Sequence, residues 1–436
     1  MKGAFTFGYA VPVLIITALF CPGCRKSDSP VDQPEMTWLQ SHAVLLNSAD
    51  LNVGEPNFNA LREIIGDARL VGLGEATHGT TEFWSMRQKI SDYLVRNMGF
   101  RAILMEAGFP NSLIIDNYIL HGEGSAAAAH EKLGSWRYRE MRELIDWMRT
   151  YNMEQTDPHA KIHYVGYDCA FHNWEQAIAL IANYIQEADP DAVSDITEKL
   201  NNYTLEDADG VHAYFVSNQD RLVERTDRDR YQLILRIVEN LVPNWNVWYN
   251  VRNNLPDLEI RDPCNLENVQ WIIREMLNGG KVVIWAHNGH VGNTFLQDNG
   301  TEAQMLGSRL KNLFGSDYYV IGTEFYSGHF LAWDHCNGHE FAFVPHEAAL
   351  PLGDTYACRF HQEGMPLFFL DLNGINGSME KTDWLNGPLR MRFIGASYCP
   401  DEDRENYYRW VSLPVEFDGI LFFEETHPTT PVNYEP

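Results

Sequence analysis

A carboxylate and an imidazole stand three residues apart, at Glu75 and His78, within a glycine-rich segment spanning residues 72–79. A histidine beside a carboxylate can take a proton from water and so act as a general base. The segment follows an apolar run at residues 68–71 that reads as a buried strand, and helical periodicity follows it over residues 81–97. Open α/β sheets place their chemistry in such turns, just beyond the carboxyl ends of their strands. We therefore predict that Glu75 and His78 are catalytic, a plain solvated turn being the alternative.

Titratable side chains also follow the other strand-like runs of the sequence. They are Glu106 after RAILM, Asp168 after IHYVGY, His287 after VVIWA and Glu324 after YYVIGT. Parallel strands end at one edge of a sheet, where α/β enzymes assemble sites from several loops. Any one of these residues could simply end a strand in solvent, but the set predicts a shared pocket. We expect Glu106 and His287 to act in catalysis. Asp168 and Glu324 are predicted to bind the substrate.

Arg87 lies on the core-facing stripe of the predicted helix at residues 81–97. Phe83 stands four residues before it and Ile90 three residues after it, which is the spacing of one helix face. An isolated buried charge is very costly, so Arg87 must be paired or reach the pocket. Glu75 and Glu106 are the obvious partners, and the alternative is an arginine whose head group reaches solvent. We predict a catalytic role for Arg87, in stabilising negative charge.

A second pair of imidazoles stands at His287 and His290, again where a strand is predicted to end. We predict that His290 is catalytic as well. A divalent metal is an open alternative, because imidazole and carboxylate groups are common metal ligands. Its ligands would be Glu75, His78, Glu106 and His287. Neither the Glu-x-x-His nor the His-x-x-His spacing is a recognised metal motif on its own, so the prediction is no cofactor, with the metal left open.

Several common catalytic motifs are absent from the sequence. There is no G-x-S-x-G nucleophile elbow, which disfavours a serine-triad hydrolase. There is neither a G-x-G-x-x-G opening a first βα unit nor a G-x-x-x-x-G-K-[ST] loop, so nucleotide binding is not indicated. The chemistry that remains is activation of water by histidine and carboxylate, with other charged groups stabilising the developing negative charge.

The elements that must position these residues alternate between strands and helices. Apolar runs at residues 68–73, 102–105 and 162–167 read as strands buried on both faces, with helical periodicity between them. This alternation predicts an α/β fold, with three α/β/α layers and a mainly parallel sheet. Further strands are predicted at residues 281–286 and 318–322, with a helix over residues 301–313.

A long stretch without strand-like runs interrupts this alternation. It holds amphipathic segments at residues 174–187, 191–203, 211–225, 228–242 and 266–277, and predicts a helical insertion that covers the site as a lid. The tail predicts a small α+β element. The predicted parts are a signal peptide (1–24), a linker (25–44), the first part of the core (45–170), the insertion (171–279), the second part of the core (280–340) and a C-terminal segment completing the core (341–436).

The composition favours a globular protein and excludes one class of partner. Of the 436 residues, 45% are hydrophobic and 21% charged, with a formal net charge of −27. Such a chain can bury a substantial core, but it lacks the clustered positive charge that phosphate binding needs. We therefore expect a small-molecule substrate and no nucleic acid. The sequence does not predict an oligomeric state.

The first residues read as an export signal. Lys2 precedes an apolar run over residues 4–20 that is too short to predict a spanning helix. Gly23 before Cys24 resembles a bacterial lipobox, which predicts that Cys24 carries a lipid and that this anchor is the sole contact with a membrane. Cys21 stands where such boxes usually carry leucine, and a simple cleaved signal peptide is the alternative. Either reading predicts an exported protein of the periplasm or cell envelope.

The remaining cysteines are widely spaced and none forms a metal-like spacing. They are Cys169, Cys264, Cys336, Cys358 and Cys399. Such a pattern does not predict a disulfide framework. One bridge or a set of buried thiols both remain open.

Several ordered motifs resemble the erythromycin esterase family, over residues 45–430. The first motifs are G-E-x-x-H-G (74–79), Arg87 and L-M-E-A (104–107), followed by A-H-N-x-H (286–290) and G-T-E-F (322–325). The closing motifs are R-F-I-G-x-x-Y (392–398) and F-D-G-I-L-F-F-E-E-T (417–426). The resemblance implies an α/β/α core with a helical insertion and a small extra subdomain. It also implies hydrolysis of a macrolide lactone ester without a serine nucleophile.

The resemblance further implies roles for the predicted residues. His78 would take the proton from water, and Glu75 or Glu106 would orient that imidazole, as a carboxylate does in a triad. The substrate carbonyl and the oxyanion would be bound by His287, His290 and Arg87. An exported member differs from the cytoplasmic resistance enzymes of the family, so a different ester at the cell surface is a further expectation.

Two alternative functions are compatible with the sequence. A haem-binding lipoprotein family is expected to share this fold, so strand-end histidines and export are also compatible with haem or metal capture. The other alternative is a metal-dependent hydrolase acting on another ester.

Overall fold

The computed structural model describes residues 33–55, 57–132, 137–170, 174–334, 336, 342–373 and 383–432. The predicted signal peptide and Cys24 lie outside these residues. The strands are β1 (Val44–Leu45), β2 (Leu70–Leu73), β3 (Phe100–Gly108), β4 (His163–Asp168), β5 (Lys281–Trp285), β6 (Phe295–Asp298), β7 (Thr301–Gln304), β8 (Tyr318–Asp334), β9 (Ala342–Glu347), β10 (Leu367–Asp371), β11 (Leu389–Arg392), β12 (Ser397–Tyr398), β13 (Tyr408–Val411) and β14 (Gly419–Thr426).

The helices surround these strands on both sides. In the first half of the chain they are α1 (Gln33–His42), α2 (Phe58–Ile65), α3 (Thr81–Met98), α4 (Phe109–His121), α5 (Ala126–Glu131), α6 (Arg139–Glu154), α7 (Trp174–Ala188), α8 (Val193–Asn202) and α9 (Leu205–Ser217). The others are α10 (Gln219–Arg225), α11 (Arg228–Glu239), α12 (Leu241–Arg252), α13 (Leu258–Trp271), α14 (Asn288–Val291), α15 (Leu306–Phe314), α16 (Tyr356–Gln362), α17 (Asp383–Asn386), α18 (Asp403–Asn406) and α19 (Leu413–Glu416).

A 10-stranded, mostly parallel sheet forms the centre, with the path β1-β10-β14-β8-β2-β5-β3-β4. β9 and β12 pair with the far part of β8. The strands from β14 to β4 run parallel, whereas β10 is antiparallel to both of its neighbours. β2 lies between β5 and β8. The loop after β2 therefore lies beside the turn after β5 on one side and the continuing strand β8 on the other. The carboxyl ends of β2, β5, β3 and β4 therefore lie side by side at one edge.

Alternate residues of each central strand enter different cores. Leu70 and Ile284 pack into the cluster that includes the insertion helices, whereas Val71 and Trp285 pack into the cluster that includes α3 and α6. Because successive strand residues point to opposite faces, an apolar run without polar gaps buries both faces of the sheet. The result is the predicted three-layer α/β/α fold with a mainly parallel sheet.

Between β4 and β5 the described chain is helical, from α7 to α13. The prediction missed three features of this insertion. It read a single helix over residues 211–225, where α9 and α10 are separate, and it missed α12. It also began the last helix at residue 266, although α13 starts at Leu258 and continues through Pro263. A proline inside a helix removes a hydrogen bond and usually predicts a break.

The helix predicted over residues 301–313 is partly wrong. Residues 301–304 form β7, which pairs with β6 in an antiparallel hairpin, and helix α15 begins only at Leu306. Asn299 and Gly300 between the two strands both have positive φ, 47° and 86°. An Asn-Gly pair in that conformation is the strongest short hairpin signal. It should have been given more weight than the helical periodicity of the following residues.

Cys336 and Cys399 form a disulfide with a Cα–Cα distance of 5.4 Å. It joins the end of the β8 extension to the segment after β12, two parts of the chain that are 63 residues apart. Cys169, Cys264 and Cys358 are buried and lie outside this disulfide. Both readings of the cysteine pattern therefore hold in part.

Within the described ranges, no helix combines the length and the apolar character needed to cross a membrane.

Candidate active site

Charged and imidazole side chains meet at the carboxyl edge of the sheet, and we call this set the strand-edge cluster. Its members are Glu75, His78, Arg87, Glu106, Asp168, Arg261, Asp262, His287 and His290. The loop after β2 provides Glu75 and His78, and the other members come from β3, β4, α3, α13 and the turn after β5. The structure thus brings together every predicted catalytic residue, together with Asp168.

Glu75 joins a histidine to an arginine. One carboxylate oxygen, Oε1, lies 2.6 Å from Nδ1 of His78, and Oε2 lies 2.5 Å from a terminal guanidinium nitrogen of Arg87. The Glu75 side chain is only 4% exposed and that of His78 only 12%. Because Nδ1 faces Glu75, the nitrogen of His78 that can serve as a base toward substrate water is Nε2.

Arg87 lies beneath this pair, enclosed by two indole rings. Its guanidinium carbon lies 4.7 Å from the ring centroids of both Trp84 and Trp285. Trp84 donates its indole N–H to the carbonyl of His78 at 2.9 Å, and Trp285 donates to Ser91 at 3.1 Å. Burial lowers the pKa of Arg87, while Glu75 and Glu106 act in the opposite direction. The predicted pairing with Glu75 is therefore present.

His287 is held as a neutral imidazole with a defined tautomer. Burial lowers the pKa of His287 to about 3, and the nearby His78 acts in the same direction. The backbone N–H of Gly289 donates to Nδ1 at 3.1 Å. Since that nitrogen accepts, the proton of the neutral ring is on Nε2, which has no hydrogen-bond partner among the described residues. The rings of His287 and His78 have centroids 5.5 Å apart.

Glu106 links the turn after β5 to the insertion. Its Oε2 accepts the backbone N–H of His287 at 3.0 Å, and its Oε1 accepts from Arg261 at 3.1 Å. Burial alone would raise the pKa of Glu106, but the charges of His290, Arg261 and His78 outweigh it and hold that pKa well below the usual range. Glu106 is therefore an anion that fixes the backbone of His287.

Arg261 comes from the insertion and was missed by the sequence reasoning. It donates to both oxygens of Asp168, at 3.1 and 2.6 Å, and so forms a bidentate pair. Burial would raise the pKa of Asp168, but the charge of Arg261 outweighs it and lowers that pKa. Asp168 therefore fixes Arg261, and the predicted role of Asp168 in binding substrate stays a prediction. The available signal was Arg261 on one stripe with Asn265 and Asn268, polar residues at core-facing spacing.

His290 lies between two carboxylates. Its Nε2 is 3.4 Å from Glu106 and its Nδ1 is 3.3 Å from Asp262 of α13. Burial would lower the pKa of His290, but Glu106 and Asp262 outweigh it and raise that pKa. The sequence predicted His290 but gave no indication of Asp262, which is fully buried.

Asn288 joins helix α14 to strand β8 and to the loop after β2. Its side-chain amide donates to the carbonyl of Thr323 at 2.8 Å and accepts the Thr323 N–H at 3.1 Å, while its own N–H donates to the carbonyl of Glu75 at 2.8 Å. A Cβ at Gly74 would lie 2.2 Å from the Asn288 side-chain oxygen. Only glycine fits there, so the first glycine of the G-E-x-x-H-G motif allows this close packing.

Glu324 does not join the cluster in the predicted way. The strand predicted to end at residue 322 continues to Asp334, so Glu324 lies within β8. The prediction was wrong because an apolar run was taken as the whole strand. Glu324 is fully buried and accepts backbone N–H groups of Phe325 (2.9 Å) and Arg392 (3.2 Å). Burial raises its pKa to about 7. Its predicted role in substrate binding is untested.

The metal alternative finds no support in the geometry. Among the described residues there is no group of three or more His, Cys, Asp or Glu side chains placed to hold a metal ion. The proposed ligands have other contacts. Glu75 contacts Arg87, Glu106 accepts from Arg261, and Nδ1 of His287 accepts a backbone N–H. The prediction that no cofactor is needed stays untested.

Comparisons with known proteins agree with the motifs. The family model described as erythromycin esterase matches residues 95–426. Erythromycin esterase type II of Escherichia coli is 27% identical over 325 residues, which cover 66% of this chain and 75% of that relative. The matched family segment includes most of the strand-edge cluster, although Glu75, His78 and Arg87 precede it.

Solved structures with the same fold cover almost the whole chain. A crystal structure of a Bacillus cereus protein is 25% identical, with a TM-score of 0.78, and the match covers 91% of this chain and 98% of the other. A mutant of the erythromycin esterase EreC in its open conformation is 17% identical, with a TM-score of 0.69, covering 90% of this chain and 100% of that one. At that identity the second likeness supports the fold alone.

Proposed function

The chain belongs to the erythromycin esterase family, as its motifs predicted, and on that premise we propose that this hydrolase cleaves a carboxylic ester or lactone by attack of an activated water molecule. The observation that carries the proposal is the juxtaposition of two unlike histidines. His78 has a carboxylate on Nδ1, whereas His287 is neutral and carries its proton on Nε2. A base and a hydrogen-bond donor side by side are what attack on a carbonyl requires.

In the first step, Nε2 of His78 takes a proton as the water oxygen attacks the ester carbonyl carbon. The imidazolium that forms is stabilised by Glu75, which is already 2.6 Å from Nδ1. Arg87 contacts the other oxygen of Glu75 at 2.5 Å. The negative charge of the carboxylate is therefore shared between Arg87 and His78. The attacked carbonyl becomes a tetrahedral oxyanion.

The oxyanion needs a donor that does not itself give up its proton. His287 meets this requirement, since burial holds its pKa at about 3 and the neutral ring donates from Nε2. The N–H of Gly289 donates to Nδ1 of the ring, and the N–H of His287 itself donates to Glu106. These two contacts keep the ring in place, so little reorganisation is needed as charge develops. Collapse of the intermediate then breaks the bond between the acyl carbon and the leaving oxygen. The leaving alkoxide takes the proton held by His78, which restores the base.

This assignment changes the roles that the family resemblance implied for two residues. Arg87 is only 1% exposed and contacts Glu75, so we propose that it holds the Glu75 carboxylate in place instead of binding the substrate. Arg261, with a side chain 19% exposed, is the cation better placed to meet a polar group of the substrate. His290 contacts Glu106 and Asp262 and is treated separately below.

The substrate class and the site of action are further parts of the proposal. The lactone of a macrolide is the family's expected substrate, and another ester met outside the cytoplasm is the alternative. We propose that the protein acts in the periplasm or cell envelope, held by a lipid on Cys24. Replacing Cys24→Ser should release the protein from the membrane fraction, and unchanged membrane association would contradict the lipid anchor.

A panel of macrolides and simple esters, read out by mass spectrometry in ¹⁸O-labelled water, tests the reaction. A hydrolysed lactone gains the mass of one water molecule. The expected result is that the label enters the new carboxyl group. Label in the alcohol would mean attack at the other carbon and would contradict the mechanism. The variant His78→Ala provides the negative control for each substrate.

A further inference from the structure

Asp262 is the carboxylate that the insertion contributes to the strand-edge cluster, and it is fully buried. It lies on α13 next to Arg261, and its side chain has no exposed surface. Its Oδ2 accepts the backbone N–H of Leu306 at 2.6 Å. Both of its oxygens lie 3.3 Å from Nδ1 of His290. One carboxylate therefore joins the insertion, the start of α15 and the turn after β5.

A buried carboxylate is costly unless a cation and hydrogen bonds compensate for its lost hydration. Two groups that can carry positive charge are near Asp262. Arg261 donates to Asp168 and Glu106, so its hydrogen bonds are directed elsewhere. His290 is the group whose ring nitrogen faces Asp262 directly. The contact therefore favours a His290 ring with a proton on Nδ1 and a fixed plane.

We propose that Asp262 is a positioning residue of the reaction, which orients His290 and thereby couples the helical insertion to the chemistry at the sheet edge. The proposal rests on the proposed ester hydrolysis. His290 in turn meets Glu106, the carboxylate that holds the backbone N–H of His287. A shift of α13 would pass through Asp262 and His290 to the group that donates to the oxyanion. The insertion is then part of the active site as well as its cover.

The variant Asp262→Asn tests this role with little change in shape. The new side-chain oxygen can still accept the N–H of Leu306, but the amide NH₂ faces Nδ1 of His290 and cannot accept its proton. We expect kcat to fall roughly 10- to 100-fold, the scale of loss when the carboxylate partner of a metal-bound imidazole is removed. KM should change much less, and Asp262→Glu should restore part of kcat.

Asp298 of β6 offers a matched control, because it contacts the start of the same helix. It accepts the backbone N–H groups of Asp257 and Leu258 at 2.7 and 2.8 Å, and so caps the start of α13. It is 8% exposed and belongs to the β6 strand, outside the strand-edge cluster. Asp298→Asn should disturb the helix without touching His290, and leave kcat within about twofold. An equal fall in both variants would mean that Asp262 has only a structural role, and would overturn the proposal.

A double-mutant cycle with His290→Gln shows whether Asp262 acts through that histidine. In the His290→Gln background, Asp262→Asn should have almost no further effect on kcat, because the group it orients is gone. Full additivity of the two losses would overturn the proposal.

The ¹⁵N chemical shifts of the His290 ring separate this inference from the proposed function. They should change in Asp262→Asn and stay constant in Asp298→Asn, whether or not any ester is hydrolysed. Unchanged shifts in Asp262→Asn would contradict the contact itself. If wild-type protein cleaves no member of the substrate panel while these shifts change as expected, the proposed function fails and the orientation of His290 by Asp262 stands.

Discussion

Two buried glutamates, Glu75 in the loop after β2 and Glu324 in the neighbouring strand β8, each lie near an arginine enclosed by aromatic rings, and Glu75 also contacts an imidazole. Arg87 lies between Trp84 and Trp285, at 4.7 Å from each ring centroid. Arg392 lies 4.7 Å from the ring of Phe325 and 5.1 Å from that of Tyr408. In both cases the cation is partly solvated by π faces instead of water.

The two glutamates differ in what their oxygens contact. Glu75 gives one oxygen to Arg87 and the other to His78. Glu324 gives both oxygens to backbone N–H groups, and Arg392 donates to the carbonyl of Ala349 and to Tyr408. The first arrangement transmits charge to an imidazole at the sheet edge, whereas the second ends in the backbone. We infer that what distinguishes the two sites is the third group: His78 is titratable and contacts the same carboxylate as Arg87.

The largest effect should follow from removing that third group. His78→Ala should lower kcat/KM by about 10²- to 10⁴-fold, the range for loss of a general base, and leave the fold intact. His361 is a matched control, because its Nδ1 also lies 2.6 Å from a glutamate, Glu424, at the surface. Steady-state hydrolysis of the best panel substrate provides the measurement. If His361→Ala lost as much activity as His78→Ala, the distinction between the two Glu–His pairs would be wrong.

Loss of the neutral donor should be the next largest effect. His287→Ala removes the N–H that we propose binds the oxyanion, and one such donor is worth about 10²- to 10³-fold in kcat. KM should change little, because the interaction develops mainly in the transition state. A large rise in KM at constant kcat would show that His287 binds the ground state instead.

Removing each arginine compares the two buried pairs directly. Arg87→Met leaves Glu75 buried without its cation, and breaking such a pair costs about 3–5 kcal/mol of unfolding free energy. Arg392→Met should cost less at pH 6, because burial raises the pKa of Glu324 to about 7 and the acid can remain protonated. Chemical denaturation of both variants at pH 6 measures the difference. Equal losses would mean that the Glu75 pair is no more dependent on its arginine than the Glu324 site.

The last expected effect concerns the titration of Glu324 itself, and it is spread over several pH units. Its folded pKa of about 7 lies above that of an unfolded glutamate, near 4.3. Between these values the folded protein binds more protons, so the stability contribution is present below about pH 4 and declines as pH rises to about 7. Glu324→Gln should remove this decline, which amounts to about 4 kcal/mol. Unfolding free energies of both proteins from pH 4.5 to 8 provide the measurement, and parallel curves would contradict the buried titration.

The part of the site that follows from strand ends could be predicted, since an apolar run fixes where a parallel strand stops. Glu75, His78 and His287 were located in this way, and the helix stripe placed Arg87 against Glu75. Glu324 shows the limit of that logic. Its strand continues beyond the apolar run, because β9 and β12 give the far part of β8 partners that no local pattern reveals.

Arg261 and Asp262 could not be found by the same reasoning. They stand within a helix that contains Pro263, distant in sequence from any strand end. Their contacts with Asp168 and His290 arise from how the insertion packs on the sheet, which depends on tertiary structure. Polar residues on a core-facing helical stripe were the available signal. Such a stripe indicates that the side chains have buried polar partners, but it does not identify those partners.

The position of these two residues near the end of the insertion limits how the cover can be redesigned. Helices α7 to α12 contribute no side chain to the strand-edge cluster, whereas α13 contributes two. A chimera that borrows its cover from a homologue to accept a different substrate should therefore exchange residues 174–256 and retain α13. A crossover placed after α13 would import a foreign helix and replace Arg261 and Asp262 together with the rest of the insertion.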